Sequence, residues 1–157
     1  MAYIEKYLLE AINLSIENVK NGTGGPFGAV IVKNGEIIST GVNKVTTNND
    51  PTAHAEIEAI RSACSKLNDF LLKDCEIYTS CEPCPMCLSA IYWAHIDKIY
   101  YANTREDAEK INFSDNLIYN EINLKPDERT IPAEQHLREK AIDAFKIWEN
   151  SNNKVSY

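Results

Sequence analysis

An α/β fold, built as a three-layer α/β/α sandwich around a mixed sheet of about five strands, is predicted by three observations. An amphipathic stretch opens the chain, two strand-like runs flank an Asn-Gly pair, and helical and strand patterns then alternate. A helix between two strands of one sheet must cross over and cover a face, so this order places helices on both sides.

From Tyr3 to Lys20, apolar Ile4, Leu8, Ala11, Ile12 and Val19 recur at three-to-four spacing with small Ser15 in the same row, while Glu5, Lys6, Glu10 and Glu17 largely fall elsewhere. This predicts a first helix. Gly28–Lys33 and Glu36–Thr40 are joined by Asn34-Gly35, which accepts the positive φ of a tight turn, and they predict a hairpin. Asp50 and Thr52 offer caps and Pro51 suits a first helical position, so a second helix is expected from there to about Lys66, with His54 and Glu56 in its first turn. Cys75–Thr79 reads as a third strand, Pro85 as the start of a helix to about Ala94, and Lys98–Ala102 as a fourth strand. Residues 111–126 read as loop with short helical turns. Leu137, Ala141, Ile142, Phe145 and Trp148 form a helical stripe, with a short fifth strand near Gln135–Arg138 as an alternative just before it.

A chain of 157 residues with 44% hydrophobic and 25% charged residues fits one compact domain and argues against disorder. The formal net charge of −7, from 16 basic and 23 acidic residues, opposes attraction to a phosphate backbone, so no nucleic acid partner is expected. No apolar run approaches a membrane span, and the opening segment alternates charged with apolar residues where a secretory leader would be continuous. Five cysteines, an odd number, suit a reducing cytoplasm better than a disulfide scaffold. Cys64 and Cys75 read as ordinary buried residues.

The chemistry is carried by His54-Ala55-Glu56 and, further on, Pro83-Cys84-Pro85-Met86-Cys87. Catalytic zinc takes three protein ligands and leaves one position open, and His54, Cys84 and Cys87 supply three. Glu56 is then free to move protons between water and substrate. This order is the H-x-E…P-C-x-x-C pattern of zinc deaminases, which points to hydrolytic deamination of a base. Each half alone is ambiguous. H-x-E near a helix start is commonly an exposed or capping pair, and C-x-x-C also serves as a redox pair or half of a structural zinc site, for which Cys81 is a candidate fourth ligand. A closed structural site has no use for Glu56.

The flanks narrow this. Gly24-Gly25-Pro26-Phe27-Gly28-Ala29-Val30, Asn43, Thr46 through Glu56, Thr79 through Cys87, Ile91-Tyr92-Trp93-Ala94 and the ending at Tyr157 resemble the bacterial guanine deaminases of the cytidine-deaminase-like superfamily. The resemblance implies a cytidine-deaminase-like fold, Zn2+ as cofactor, and hydrolysis of guanine to xanthine and ammonia with Glu56 as proton shuttle. It further implies substrate contacts from Phe27, Asn43, Ala55, Trp93, Asp115 and Tyr157. Phe27 would stack on the purine, with core packing as its alternative. Asn43 would read the ring edge, or cap its loop instead. Asp115 would recognise purine N–H groups. The terminal segment, about 131–157, would be exchanged with a second subunit of a homodimer, with Tyr157 closing the partner's site. His95 stands where the family tends to carry Arg and reads as a surface residue. Three other readings stay open: a deaminase of another aminated ring such as cytosine or guanosine, a tRNA adenosine deaminase, and a structural zinc module that binds a partner.

Overall fold

The structure, a computed structural model, describes residues 2–156 and divides at Asp115 into two units. Tyr157, expected at a partner's site, lies outside the described residues. The first unit contains α1 (Glu5–Lys20), β1 (Gly28–Lys33), β2 (Glu36–Val42), α2 (Val45–Asn48), α3 (Ala55–Leu67), β3 (Cys75–Cys81), α4 (Pro85–Trp93), β4 (Lys98–Asn103) and α5 (Arg105–Lys110). Its sheet runs β2-β1-β3-β4. β1 is antiparallel to β2 and β3, whereas β3 and β4, joined through α4, are parallel. The expected mixed sheet and three layers are therefore present.

Period-two alternation assigns each strand residue to a layer. Ala29, Ile31 and Ile77 face α3, where Ala55, Ala59 and Ala63 are buried against them. Val30, Val32 and Tyr78 face the other way and bury Tyr7 and Ala11 of α1. α1 lies so close to the sheet that a Cβ on Gly28 would stand 2.4 Å from the Ala11 carbonyl oxygen. The hairpin turn falls on Asn34 (φ 52°) and Gly35 (φ 79°), the left-handed pair its sequence predicts.

Three expectations need correction. The sheet has four strands among the described residues, not about five. Gln135 and His136 belong to no element, Leu137 turns left-handed at φ 56°, and α7 (Arg138–Glu149) follows directly, so this polar stretch has no apolar face to lay on a sheet. The helix expected from Pro51 begins instead at Ala55, with His54 as its N-cap residue. Asp50 turns its carboxylate onto the Thr52 N–H and hydroxyl, making a local turn where a helix was expected. Cys75 is buried as expected, but Cys64 is half-buried.

The second unit holds α6 (Asn116–Ile122), a 3₁₀ turn at Pro126–Glu128 and α7. The apolar stripe of α7 is exposed: Phe145 is 73% and Trp148 50% accessible. Among the described residues, no helix is long and apolar enough to cross a membrane.

Candidate active site

Two helix N-termini and the end of a central strand converge on one point. His54 precedes the first turn of α3, and Cys84 is the N-cap residue of α4, whose first helical residue is Pro85. Proline fits there because its missing N–H would have no partner in the first turn. The backbone N–H groups of both first turns, and the positive ends of both helix dipoles, favour negative charge at this point.

The His54 Nδ1 lies 3.6 Å from Cys84 Sγ and 3.5 Å from Cys87 Sγ. The three ligand atoms all lie within 4.8 Å of one another. A tetrahedral zinc with nitrogen at ~2.0 Å and sulfur at ~2.3 Å requires an N···S edge of about 3.5 Å, so both N···S distances suit that ion. Cys81 is not part of the group: its thiol faces the Thr104 carbonyl at 3.5 Å, and burial lifts its pKa to about 11. His95, exposed with φ 55°, is no ligand either.

The protonation of the trio is shared. The Cys87 thiol and then the His54 ring hold the Cys84 thiol down to about 4, against the opposing effect of burial. The Cys84 sulfur raises the affinity of His54 for its proton, and it does the same, with burial, for Cys87. The surroundings of Cys84 thus favour negative charge on its sulfur, as a cation-binding group should. Glu56 is 7% exposed beside it. Burial, the largest influence, raises its pKa. A carboxyl that holds a proton more readily than in water is suited to accept one and return it.

Asn43 is 6% exposed, and its Oδ1 accepts from the Gly25 and Val45 N–H groups at 3.3 Å each. The loop-capping alternative therefore holds for its oxygen, and the Nδ2 donor is what remains for a ligand. Phe27 is half-buried and meets Phe113 edge-to-face, with ring centroids 5.1 Å apart. Ala55 is buried between the histidine and the glutamate. Asp115 is close enough to Cys84 and Glu82 to feel their charge, and its Oδ1 lies 3.6 Å from an Arg105 nitrogen. Trp93 is not brought to the group: it closes α4 at the end away from Cys84 and is 63% exposed.

Phe113, Glu82 and Arg105 join this neighbourhood without having been singled out in the sequence. α5 did carry a legible signal, since Thr104 and Asp107 have capping-box spacing and form both of its hydrogen bonds. Nothing in the sequence marks Arg105 as the partner of Asp115.

Residues 1–103 match the cytidine and deoxycytidylate deaminase zinc-binding region. The chain is 52% identical to the guanine deaminase of Bacillus subtilis over 153 residues, 98% of each chain. The X-ray structure of guanine deaminase from Bacillus subtilis superposes with a TM-score of 0.96 at 51% identity, covering 99% of both chains. A tRNA-specific adenosine deaminase of Aquifex aeolicus is 49% identical over 77 residues, covering 49% of this chain and 51% of that one.

Proposed function

The chain belongs to the cytidine and deoxycytidylate deaminase family, and from that premise we propose that it hydrolyses guanine to xanthine and ammonia. The observation that carries the reading is a buried Glu56 set against a His54, Cys84 and Cys87 cluster whose N···S spacings of 3.5 and 3.6 Å fit zinc. The choice of guanine is supported by similarity to the Bacillus subtilis enzyme over nearly the full chain, whereas the tRNA deaminase match covers about half. The net charge of −7 also disfavours a tRNA substrate.

His54, Cys84 and Cys87 would hold Zn2+, which when bound supplies a Lewis acid that makes water nucleophilic near neutral pH. Glu56 takes the proton of the attacking water and delivers it to a purine ring nitrogen as C2 is attacked. It then takes the remaining proton of the hydroxyl now on C2 and passes it to the amino group, so that the C2–N bond breaks, ammonia leaves and xanthine remains. Phe27 offers its ring to the purine face. Asn43 donates from Nδ2, its oxygen being committed to Gly25 and Val45. Ala55 presents a first-turn N–H that has no partner within the helix. Asp115 accepts from purine N–H groups.

The segment from about 131 to 157 is read as exchanging with a second copy, in keeping with the exposed apolar row of α7, and the working form as a homodimer. Five free cysteines among the described residues suit a reducing cytoplasm. Glu56→Gln tests the chemistry. The variant should retain stoichiometric zinc and bind guanine, yet produce xanthine slower by a factor of about 10³ or more. Turnover within about tenfold of the unchanged protein would remove Glu56 from the reaction.

A further inference from the structure

We propose that Arg105 is a positioning residue for Asp115, holding its carboxylate as a fixed acceptor at the edge of the base site. The inference rests on the guanine reading above and assigns part of its specificity to a residue that need not touch the base.

Arg105 is held at its backbone and at its guanidinium. Its backbone N–H, at the start of α5, donates to Glu82 Oε2 at 3.3 Å, and Glu82 in turn donates its N–H to the Asn103 carbonyl at 2.9 Å. Glu82 stands two residues before Cys84, so Arg105 is tied to the loop that carries the metal ligand. At its other end the guanidinium lies 3.6 Å from Asp115 Oδ1, with side-chain exposures of 27% and 16%.

The chain after α5 is folded to make this meeting possible. Phe113 donates its N–H to Ala108 and Asn112 to Glu109, at 3.0 Å each, with Asn112 at φ 69°. The Ser114 hydroxyl reaches Glu109 at 3.2 Å. The loop thus doubles back over α5, setting the Phe113 ring against Phe27 and Asp115 against Arg105.

Asp115 needs such a partner. Burial favours its neutral form, and Arg105 is the cation that opposes it. A protonated carboxyl would present a donor, whereas guanine offers N–H donors at that edge and requires an acceptor. A carboxylate free to rotate would also lose the fixed geometry that distinguishes one base from another.

The test is a double-mutant cycle on the zinc-loaded protein, with KM and kcat for guanine read separately. Asp115→Asn should raise KM, and Arg105→Gln should raise it roughly ten- to hundredfold with a smaller change in kcat. Arg105→Lys, which keeps the charge, should recover most of the loss. The double variant should be no worse than Asp115→Asn alone, because Arg105 acts through Asp115. Zinc content and melting temperature exclude misfolding, and Arg105→Met replaces Arg105→Gln in the cycle if the latter does not fold. The inference is overturned if neutral substitutions at Arg105 leave KM unchanged while Asp115→Asn raises it, or if the two losses add. If Asp115→Asn itself leaves guanine turnover unchanged, the substrate role of Asp115 falls, and the positioning role falls with it.

Discussion

Cys84 Sγ and His54 Nδ1 stand 3.6 Å apart although 30 residues of sequence separate them. The strand and two helices between and around them exist, in functional terms, to hold that distance. β3 runs through the middle of the sheet and ends at Cys81, three residues short of Cys84. α3 is pressed onto the same face by a row of alanines too small to hold it away. The candidate metal site inherits the rigidity of a buried core, which is what a preorganised site requires.

Metal removal should therefore stop turnover without unfolding the first unit, whose two buried apolar clusters include none of His54, Cys84 and Cys87. Dialysis against a chelator at neutral pH is expected to abolish xanthine formation, and one equivalent of zinc to restore it. Circular dichroism of the stripped protein should keep its helical signal. Loss of that signal with the metal would mean that the site is part of the folding unit.

Substitutions at Asn43 should separate two roles of one side chain. Asn43→Asp keeps the oxygen that accepts from Gly25 and Val45 but loses the Nδ2 donor, so stability should hold while guanine KM rises about tenfold. Asn43→Ala loses both, and urea denaturation should show an additional loss of about 1–3 kcal/mol.

How much of this was legible in the sequence depends on the range of the interaction. The hairpin at Asn34-Gly35 follows from local spacing and the grouping of His54, Cys84 and Cys87 from the paired motifs, and both are found in the structure. The start of α3 was misplaced because Asp50 can cap a turn as well as a helix, and only the tertiary context chooses. The Arg105–Asp115 pair and the Phe27–Phe113 contact were illegible for a different reason. They are made by a loop doubling back on a short helix, a geometry without periodicity. The C-terminal stripe was legible as a helix, but its pattern does not say which surface it covers, and all of its residues but the half-buried Ile142 are exposed here.

Gly28→Ala should destabilise the protein without altering its chemistry. The added methyl would meet the Ala11 carbonyl oxygen at 2.4 Å and Leu14 Cβ at 2.9 Å, forcing α1 away from β1. A loss of roughly 1–3 kcal/mol in urea denaturation, with kcat per folded molecule unchanged, is the expected outcome. A neutral effect would show that α1 moves freely on the sheet.

Alkaline stability should depend on Tyr78. Its phenol is fully buried and donates to Glu76 Oε2 at 3.0 Å. Burial, then Glu76, raises its pKa well above the ordinary 10. The stabilisation is complete below the unfolded value and is lost as pH rises past about 10, where the unfolded chain ionises and the folded chain resists. Urea midpoints measured between pH 8 and 11 should fall, and Tyr78→Phe should flatten that fall while lowering stability at pH 8. An equal slope in the variant would assign the alkaline transition elsewhere.

Ammonia release from the zinc-loaded protein offered guanine, guanosine, adenine, cytosine and a tRNA anticodon hairpin in parallel decides the substrate. Guanine should be turned over, with xanthine recovered in equal amount to ammonia, and the other four should release none. Turnover of another ring in preference to guanine would contradict the substrate assignment and the roles given to Asn43 and Asp115. No release from any of the five would contradict the enzyme itself.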